Sequence, residues 1–196
     1  WVQHSRYVAL AAEAIARRYP GLDAERAYVL GALHDIGRRE GVTDMRHILD
    51  GYRYLTALGH GDQDGKDVSP ARICLTHSFP IKVLEAAAGR WDCPAEDREF
   101  VRGYIARVRY TPYDRLIQLC DALALASGPC LIEKRLVDVL LRYGPNRYTV
   151  TKWRTIFEIQ RHFEQLLGCS VYALLPSVVE NTFGFDPRED QDTKRG

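Results

Sequence analysis

The stretch VLGALHDIGR, residues 29–38, decides the fold because an apolar helical segment runs directly into an ionisable pair. His34 and Asp35 are adjacent, so a helical repeat of 3.6 residues cannot place both on one apolar face. Gly37 follows the pair closely. The pair is therefore either an accident of a helix end or a group held against something charged.

Length and composition favour one globular domain. The chain has 196 residues, 46% of them hydrophobic, which is enough for one sizeable core but argues against a second full domain. Lys and Arg number 27 against 26 Asp and Glu, a formal charge of +1. This balance excludes the overall basic field that duplex nucleic-acid binders use, so any anionic substrate must be met locally.

The cysteines and the apolar runs indicate a cytoplasmic protein. The five cysteines are odd in number and widely spaced, with no CxxC pair, which argues against a disulfide framework or a zinc ribbon. We expect Cys74 and Cys120 to belong to the core. No apolar run approaches the ~20 residues that span a bilayer, and no leader opens the chain, so no membrane partner is expected. Because the chain begins at Trp1, it remains open whether a further segment precedes it.

Helix signals dominate the first sixty residues. Apolar spacing predicts a helix over 2–18, and Asp23 is a suitable cap for the next one. This second helix is expected to end at Gly37, which suits the left-handed conformation after a helix. A third helix, capped by Thr43, is expected to run to Gly59 and to lead into a mobile loop over 59–67.

The remainder of the chain continues the helical pattern. A short helix is expected to open at Ser69-Pro70, another to start at Pro80 and end at Gly89, and a third to run from Pro94 to about Val108. The sequence TPYD at 111–114 predicts a capping box. Further helices are expected over 131–142 and 152–167. We find no repeat and no convincing strand pattern, and the prediction is an all-α, single-domain protein.

Six side chains suggest chemistry, because they fall on five separate predicted helices in apolar surroundings: His4, His34, Asp35, His47, His77 and Asp121. A buried, ionised carboxylate is costly unless it is paired or bound to metal. Asp121 has apolar sequence neighbours, and Arg115 is the nearest arginine. Imidazoles and carboxylates are ligands that divalent metals accept, so one metal site would answer the question raised by the His-Asp pair.

Five motifs resemble one known family: HSRYVA at 4–9, HDIG at 34–37, HILDG at 47–51, CLTHS at 74–78 and LIQLCDALA at 116–124. Together they resemble the HD superfamily of metal-dependent phosphohydrolases. They are similar in particular to small bacterial six-ligand members, including those that split diadenosine polyphosphates symmetrically. The resemblance implies an HD-type helical bundle over 1–125 and a C-terminal helical extension over 126–183 packed on the same core. The composition of the last residues predicts a polar tail over 184–196.

The resemblance also implies a ligand set. His4, His34, Asp35 and Asp121 would hold a first metal, and Asp35 would bridge to a second metal held by His47 and His77. His34 and Asp35 would be the catalytic pair. One or two divalent ions are expected, with Fe, Mn, Ni, Co, Mg and Zn all open. The short spacing from His34 to His47 and the absence of paired histidines argue against a cyclic dinucleotide substrate.

Substrate contacts are harder to place from sequence. Arg38 follows the HDIG turn directly and is the first candidate to hold a phosphate. The further candidates are Arg39, Lys82, Arg115 and His60, the last only if its glycine-rich loop folds over the site. His162 is expected to be a surface histidine without a role in the site.

The predicted function is a cytoplasmic metal-dependent phosphohydrolase. It would direct a metal-activated water at a small phosphorylated molecule, such as a nucleotide or dinucleoside polyphosphate. Two alternatives use the same ligands: an HD-type di-iron oxygenase and a non-catalytic regulatory module that binds a nucleotide. Neither duplex nucleic acid nor a membrane is an expected partner, and a homodimer is left open.

Overall fold

A computed structural model describes residues 1–62 and 68–186, and that part of the chain is mostly helical, as the sequence predicted. The predicted loop over 59–67 and the polar tail over 184–196 fall largely outside the described residues. The elements of the first half are α1 Val2–Ala16, α2 Ala24–Leu33, a 3-10 turn Ile36–Glu40, α3 Arg46–Ala57, α4 Pro70–Thr76, a 3-10 turn Leu84–Ala86 and α5 Ala95–Arg107.

The second half begins with the helix that carries Asp121. Its elements are α6 Pro112–Ala122, β1 Ala124–Leu125, β2 Gly128–Pro129, α7 Ile132–Tyr143, α8 Thr149–Leu167, a 3-10 turn Val171–Leu174 and α9 Val178–Phe183. The two short strands pair antiparallel, with Ala124 opposite Pro129. This small hairpin turns the chain from α6 into α7 and so brings the later helices back towards the end of α6.

Three predicted helix starts are confirmed by their caps. The Asp23 and Ser69 side chains each accept a backbone N–H from the first turn of the helix that follows. Thr111 and Asp114 form the predicted capping box, in which each side chain accepts the other residue's backbone N–H. Such caps satisfy amide groups that have no partner within a helix, and they locate α2, α4 and α6.

The prediction of a helix from Pro80 to Gly89 is wrong. Residues 80–89 contain only the 3-10 turn Leu84–Ala86. The carbonyl of Pro80 accepts a hydrogen bond from the Arg115 guanidinium, and the carbonyl of Phe79 accepts one from the Tyr110 hydroxyl. These carbonyls serve tertiary contacts, and the segment becomes an irregular connection between α4 and α5.

Thr43 does not cap α3, which begins at Arg46. Instead the carboxylate of Asp92, far along the chain, accepts the backbone N–H groups of Asp44 and Arg46 at 2.8 Å each. A side chain from a distant loop therefore does the work expected of a local cap. No local pattern in the sequence could have indicated that partner.

Gly37 is required for close packing and not for the left-handed conformation that was predicted. The helix α2 ends at Leu33, and Gly37 lies inside the following 3-10 turn with an ordinary backbone angle. A Cβ atom at this position would lie 1.9 Å from the His47 carbonyl oxygen and 2.4 Å from the Gly51 amide nitrogen. Only glycine therefore lets the turn after His34-Asp35 lie directly against α3.

One hydrophobic cluster joins both halves of the chain. It contains side chains from α1, α2, α6, α7 and α8, among them Ile15, Leu30, Ile117, Leu136 and Phe163. A second cluster packs α3 against α5 and the segment between them. Cys74 and Cys120 are buried, as predicted. Among the described helices, none combines the length and apolarity needed to cross a membrane.

Candidate metal centre

The ligands predicted for one site converge from different elements. His4 comes from α1, His34 and Asp35 from the end of α2, His47 from the first turn of α3, and His77 from the end of α4. All five are buried. Their ligand atoms form two groups, each with all atoms within 4.8 Å of one another: His4, His34 and Asp35 in one, and Asp35, His47 and His77 in the other.

Backbone carbonyls orient three of the imidazoles. In each, Nδ1 lies against a carbonyl oxygen three or four residues earlier: Gly31 for His34 at 2.7 Å, Ile73 for His77 at 3.1 Å, and Asp44 for His47. A nitrogen that donates to a carbonyl carries the hydrogen, so the opposite nitrogen keeps its lone pair. The backbone thus presents Nε2 of all three rings as a metal ligand.

Asp35 lies between the two groups, with one oxygen towards each. Its Oδ1 is 3.1 Å from Nε2 of His47 and 3.6 Å from Nε2 of His77. Its Oδ2 is 3.9 Å from Nε2 of His34 and accepts a 2.7 Å hydrogen bond from Nε of Arg38. Two oxygens directed at separate ligand groups suit a carboxylate that bridges two ions.

Two buried nitrogens of the centre receive no hydrogen bond from the described residues, since the ionised Asp35 carboxylate near them has no hydrogen to donate. They are Nε2 of His34 and Nε2 of His47. A buried polar atom without a partner costs about 1–3 kcal/mol, so such atoms are rare unless something else satisfies them. A metal ion would accept both lone pairs. The residues present therefore fit a metal ion, and the groups around Asp35 are candidate sites for one or two ions.

Burial keeps the imidazoles of His34 and His77 neutral. Desolvation lowers the pKa of His34, and it lowers the pKa of His77 to about 3. Burial alone would raise the pKa of Asp35, but the neighbouring histidines, His34 foremost, hold it well below its ordinary value. His34 and His77 therefore offer neutral nitrogens and Asp35 an ionised carboxylate near neutral pH, the protonation states in which these groups bind metal.

Asp121, the sixth predicted ligand, lies beside His4. Its Oδ1 is 2.9 Å from Nε2 of His4 and accepts a 3.0 Å hydrogen bond from the Arg135 guanidinium. Arg135 also donates to the Asp121 backbone carbonyl at 3.2 Å and to Asp138 at 3.2 Å. Burial acts to raise the pKa of Asp121, and the Arg135 charge is the main influence that holds it far below its ordinary value.

A cleft of about 110 Å³ opens from the centre towards the C-terminal helices. The centre contributes Asp35, His47, His77 and Asp121 to its lining, and α7 and α8 contribute Arg135, Leu136, Val139, Arg142, Tyr143, Lys152 and Ile156. A more open hollow of about 570 Å³ is lined by Trp1 and His4 and shares Asp35, Arg38, Arg135 and Arg142 with the cleft. The candidate site is thus half-enclosed by helices beyond α6.

The five predicted substrate contacts occupy different places. Arg38 lines the cleft and donates to Asp35 and to the Thr43 carbonyl. Arg39 stacks over the Tyr54 ring at 4.1 Å.

The other three, like Arg39, lie outside the lining of the cleft and the hollow. Lys82 donates to the Val108 carbonyl, Arg115 donates to the Pro80 carbonyl at 2.7 Å, and His60 is exposed. Their roles in substrate binding, like those of Arg38 and Arg39, stay predictions.

Sequence reasoning missed Arg135 and Lys152. Both lie on the helices predicted over 131–142 and 152–167, and a cation on a helix looks like an ordinary solvated residue from sequence. Arg115 is the nearest arginine to Asp121 in the sequence, yet the hairpin after α6 brings Arg135 to that carboxylate instead. The only sequence signal was a cation on each of the two amphipathic helices that follow Asp121, which is too common to be specific.

Comparison with known families matches residues 1–126 to the HD domain. The matched segment ends just after α6 and contains all six predicted ligands. Neither a search of curated proteins nor a search of solved structures found a match. Since the matched segment spans more than half of the chain and contains the buried His/Asp cluster, the protein belongs to the HD domain family.

Proposed function

We propose that the protein is a metal-dependent phosphohydrolase that directs a metal-activated water at a small phosphorylated molecule. The observation that carries the proposal is that two groups of buried ligand atoms share Asp35. Three imidazoles aimed inward together with carboxylates suit Fe, Mn, Co, Ni or Zn better than Mg, which prefers oxygen ligands. One or two such ions would be the cofactors.

The residues of the chain would hold this centre in a fixed geometry. Bound metal ions would lower the pKa of a coordinated water towards neutrality and offset charge on a phosphoryl oxygen. His34 and Asp35, proposed as the catalytic pair, are adjacent, and the close packing of Gly37 against α3 fixes the turn that follows them. Arg135 would orient Asp121 from outside, as a positioning residue.

A nucleotide or dinucleoside polyphosphate is the substrate class we propose. The cleft combines cations with an apolar and aromatic wall that includes Leu136, Val139 and Tyr143. Ligand sites commonly pair apolar walls with a few polar groups that fix orientation. Phosphates would lie near the centre and its arginines, and an uncharged part of the molecule would contact the wall.

The test combines metal analysis with anaerobic turnover. The purified protein is stripped with a chelator, reloaded with Mn²⁺ or Fe²⁺, and measured by element analysis. Phosphate release is then followed without oxygen on nucleoside mono-, di- and triphosphates and on dinucleoside polyphosphates. We expect metal-dependent release from the wild type and loss of both metal and turnover in His34→Ala.

Two outcomes would overturn the proposal. Turnover that requires oxygen together with an iron redox signal would indicate the di-iron oxygenase instead. Bound metal without phosphate release from any member of the panel would indicate the regulatory module.

A further inference from the structure

Lys152 occupies an unfavourable place for a cation. It lies in the first turn of α8, where the helix dipole favours negative charge, and that turn contains no acidic residue. Its side chain lines the cleft beside Ile156. Burial, opposed by the Asp121 charge and helped by the Arg135 charge, lowers the pKa of Lys152 to about 8. These features make the ammonium costly in the folded protein.

The other cations of the cleft already have carboxylate partners. Arg38 binds Asp35, Arg135 binds Asp121 and Asp138, and Arg142 binds Asp138 at 2.7 Å. Within residues 1–62 and 68–186, the Lys152 ammonium forms neither a hydrogen bond nor an ion pair. Lys152 is therefore the cation of the cleft whose charge is available to bind an anionic ligand.

The position of Lys152 separates it from the predicted metal ligands. It comes from α8, outside the segment matched to the HD domain, yet lines the same cleft as His47 and His77. The enclosed volume, about 110 Å³, is well below the roughly 300–1,000 Å³ of sites that enclose a whole small molecule. The cleft therefore suits one compact anionic group, while the more open hollow that shares Asp35 and Arg135 with it leaves room for the rest of a ligand.

We propose that Lys152, with Arg135 beside it, binds a second, non-reacting phosphate of the substrate, next to the phosphate held at the metal centre. The substrate would then carry at least two linked phosphates, as in a nucleoside diphosphate, a nucleoside triphosphate or a dinucleoside polyphosphate. This inference rests on the proposed function, because the first phosphate is assigned to the metal centre. It goes further by assigning recognition of the phosphate chain to the C-terminal helices.

The test compares two non-hydrolysable anions by calorimetry. Methylenediphosphonate carries two linked phosphoryl groups and methylphosphonate carries one, and each is titrated into the Mn²⁺-loaded protein. We expect Lys152→Gln to bind methylenediphosphonate about tenfold more weakly and methylphosphonate unchanged, because one charge-assisted hydrogen bond is lost. Lys152→Arg should retain most of the affinity for methylenediphosphonate. Arg154→Gln is the control, because it removes an exposed cation of the same helix, and its affinity should match that of the wild type.

Thermal unfolding without an anion separates ligand binding from a structural role. Because the Lys152 ammonium is costly without a ligand, Lys152→Gln should be as stable as the wild type or more stable. A clear loss of stability would make Lys152 a structural counter-ion of Asp121 and would overturn the proposal. Equal weakening of both phosphonates, or no weakening, would overturn it as well.

The failure of this inference can be told from failure of the proposed function. Metal content and anaerobic phosphate release test the metal centre, and the same titrations on the metal-free protein test the anion site without it. Normal turnover with an unaffected Lys152→Gln variant would remove only the second-phosphate assignment. Absence of bound metal and turnover would remove the proposed function, and with it the assignment of a second phosphate.

Discussion

The HD segment and the helices after it contribute opposite charges to one site. Residues 1–126 supply inward-facing imidazoles and two carboxylates, a set that attracts cations. The later helices α7 and α8 supply Arg135, Arg142 and Lys152, a set that attracts anions. The difference teaches that the family segment supplies the groups that can bind metal ions, whereas the C-terminal helices supply the cations that can bind an anion beside them.

The largest effect should come from Asp35, which belongs to both ligand groups. We expect Asp35→Asn to lose both metal ions, with affinity falling by more than the about 10- to 100-fold that loss of an outer-shell partner costs. His77→Ala should keep the ion held by His4, His34 and Asp35. The measurement is metal content per chain by element analysis after dialysis.

Asp50→Asn is the matched control for that experiment, since the Asp50 carboxylate pairs with Arg46 and belongs to neither ligand group. Its metal content should equal that of the wild type. Equal metal retention in Asp35→Asn and His77→Ala would contradict a shared carboxylate and would reduce the HD half to a single-ion site.

A second, smaller effect on metal affinity should come from the contact between the two regions. Arg135→Gln removes the guanidinium that binds both the side chain and the backbone carbonyl of Asp121. We expect metal affinity to fall about 10- to 100-fold, as for other partners that orient a ligand. Competition with a chelator measures this affinity, and Arg161→Gln, an exposed change on α8, provides the comparison. Unchanged affinity in Arg135→Gln would show that the C-terminal helices act on the substrate alone.

The smallest effect concerns pH and the metal-free protein. His77 has a pKa of about 3 when folded and an ordinary value of 6.5 when unfolded. Between these values the unfolded chain binds a proton that the folded protein refuses, so the free energy of unfolding should fall as the pH is lowered. The slope for one such group reaches about 1.4 kcal/mol per pH unit.

Urea unfolding between about pH 4.5 and 7 measures that slope, since the urea concentration at the midpoint is proportional to the free energy of unfolding. His77→Asn should flatten it, whereas His162→Gln, which changes an exposed histidine of the C-terminal half, should leave it as in the wild type. A slope that His162→Gln reduced as much as His77→Asn would place the acid sensitivity outside the HD segment.

Sequence patterns predicted most of the elements that local chemistry controls. Asp23, Ser69 and the Thr111-Asp114 box mark helix starts through contacts made within a few residues, and all three are confirmed. The failures at Pro80 and Thr43 have one physical cause. In both places the backbone groups are satisfied by side chains distant in sequence, Arg115 in the first case and Asp92 in the second.

The same distinction between sequence patterns and contacts made by the fold applies to the candidate site. His4, His34, Asp35, His47 and His77 could be grouped from sequence because their motifs resemble a family, and the fold brings them together. Arg135 and Lys152 could not be found in this way. Their approach to the centre depends on the hairpin at Ala124–Pro129 and on helix packing, which single-residue patterns do not encode.

The contact between Arg135 and Asp121 has a consequence for how the two regions are coupled in solution. Arg135 belongs to a helix outside the HD segment, and Asp121 is a predicted metal ligand within it. Thermodynamic linkage is reciprocal, so whatever free energy an ion gains from a docked α7, the docking of α7 gains from the ion. Hydrogen exchange of the α7 amides would then report on occupancy of a centre to which this helix contributes no ligand.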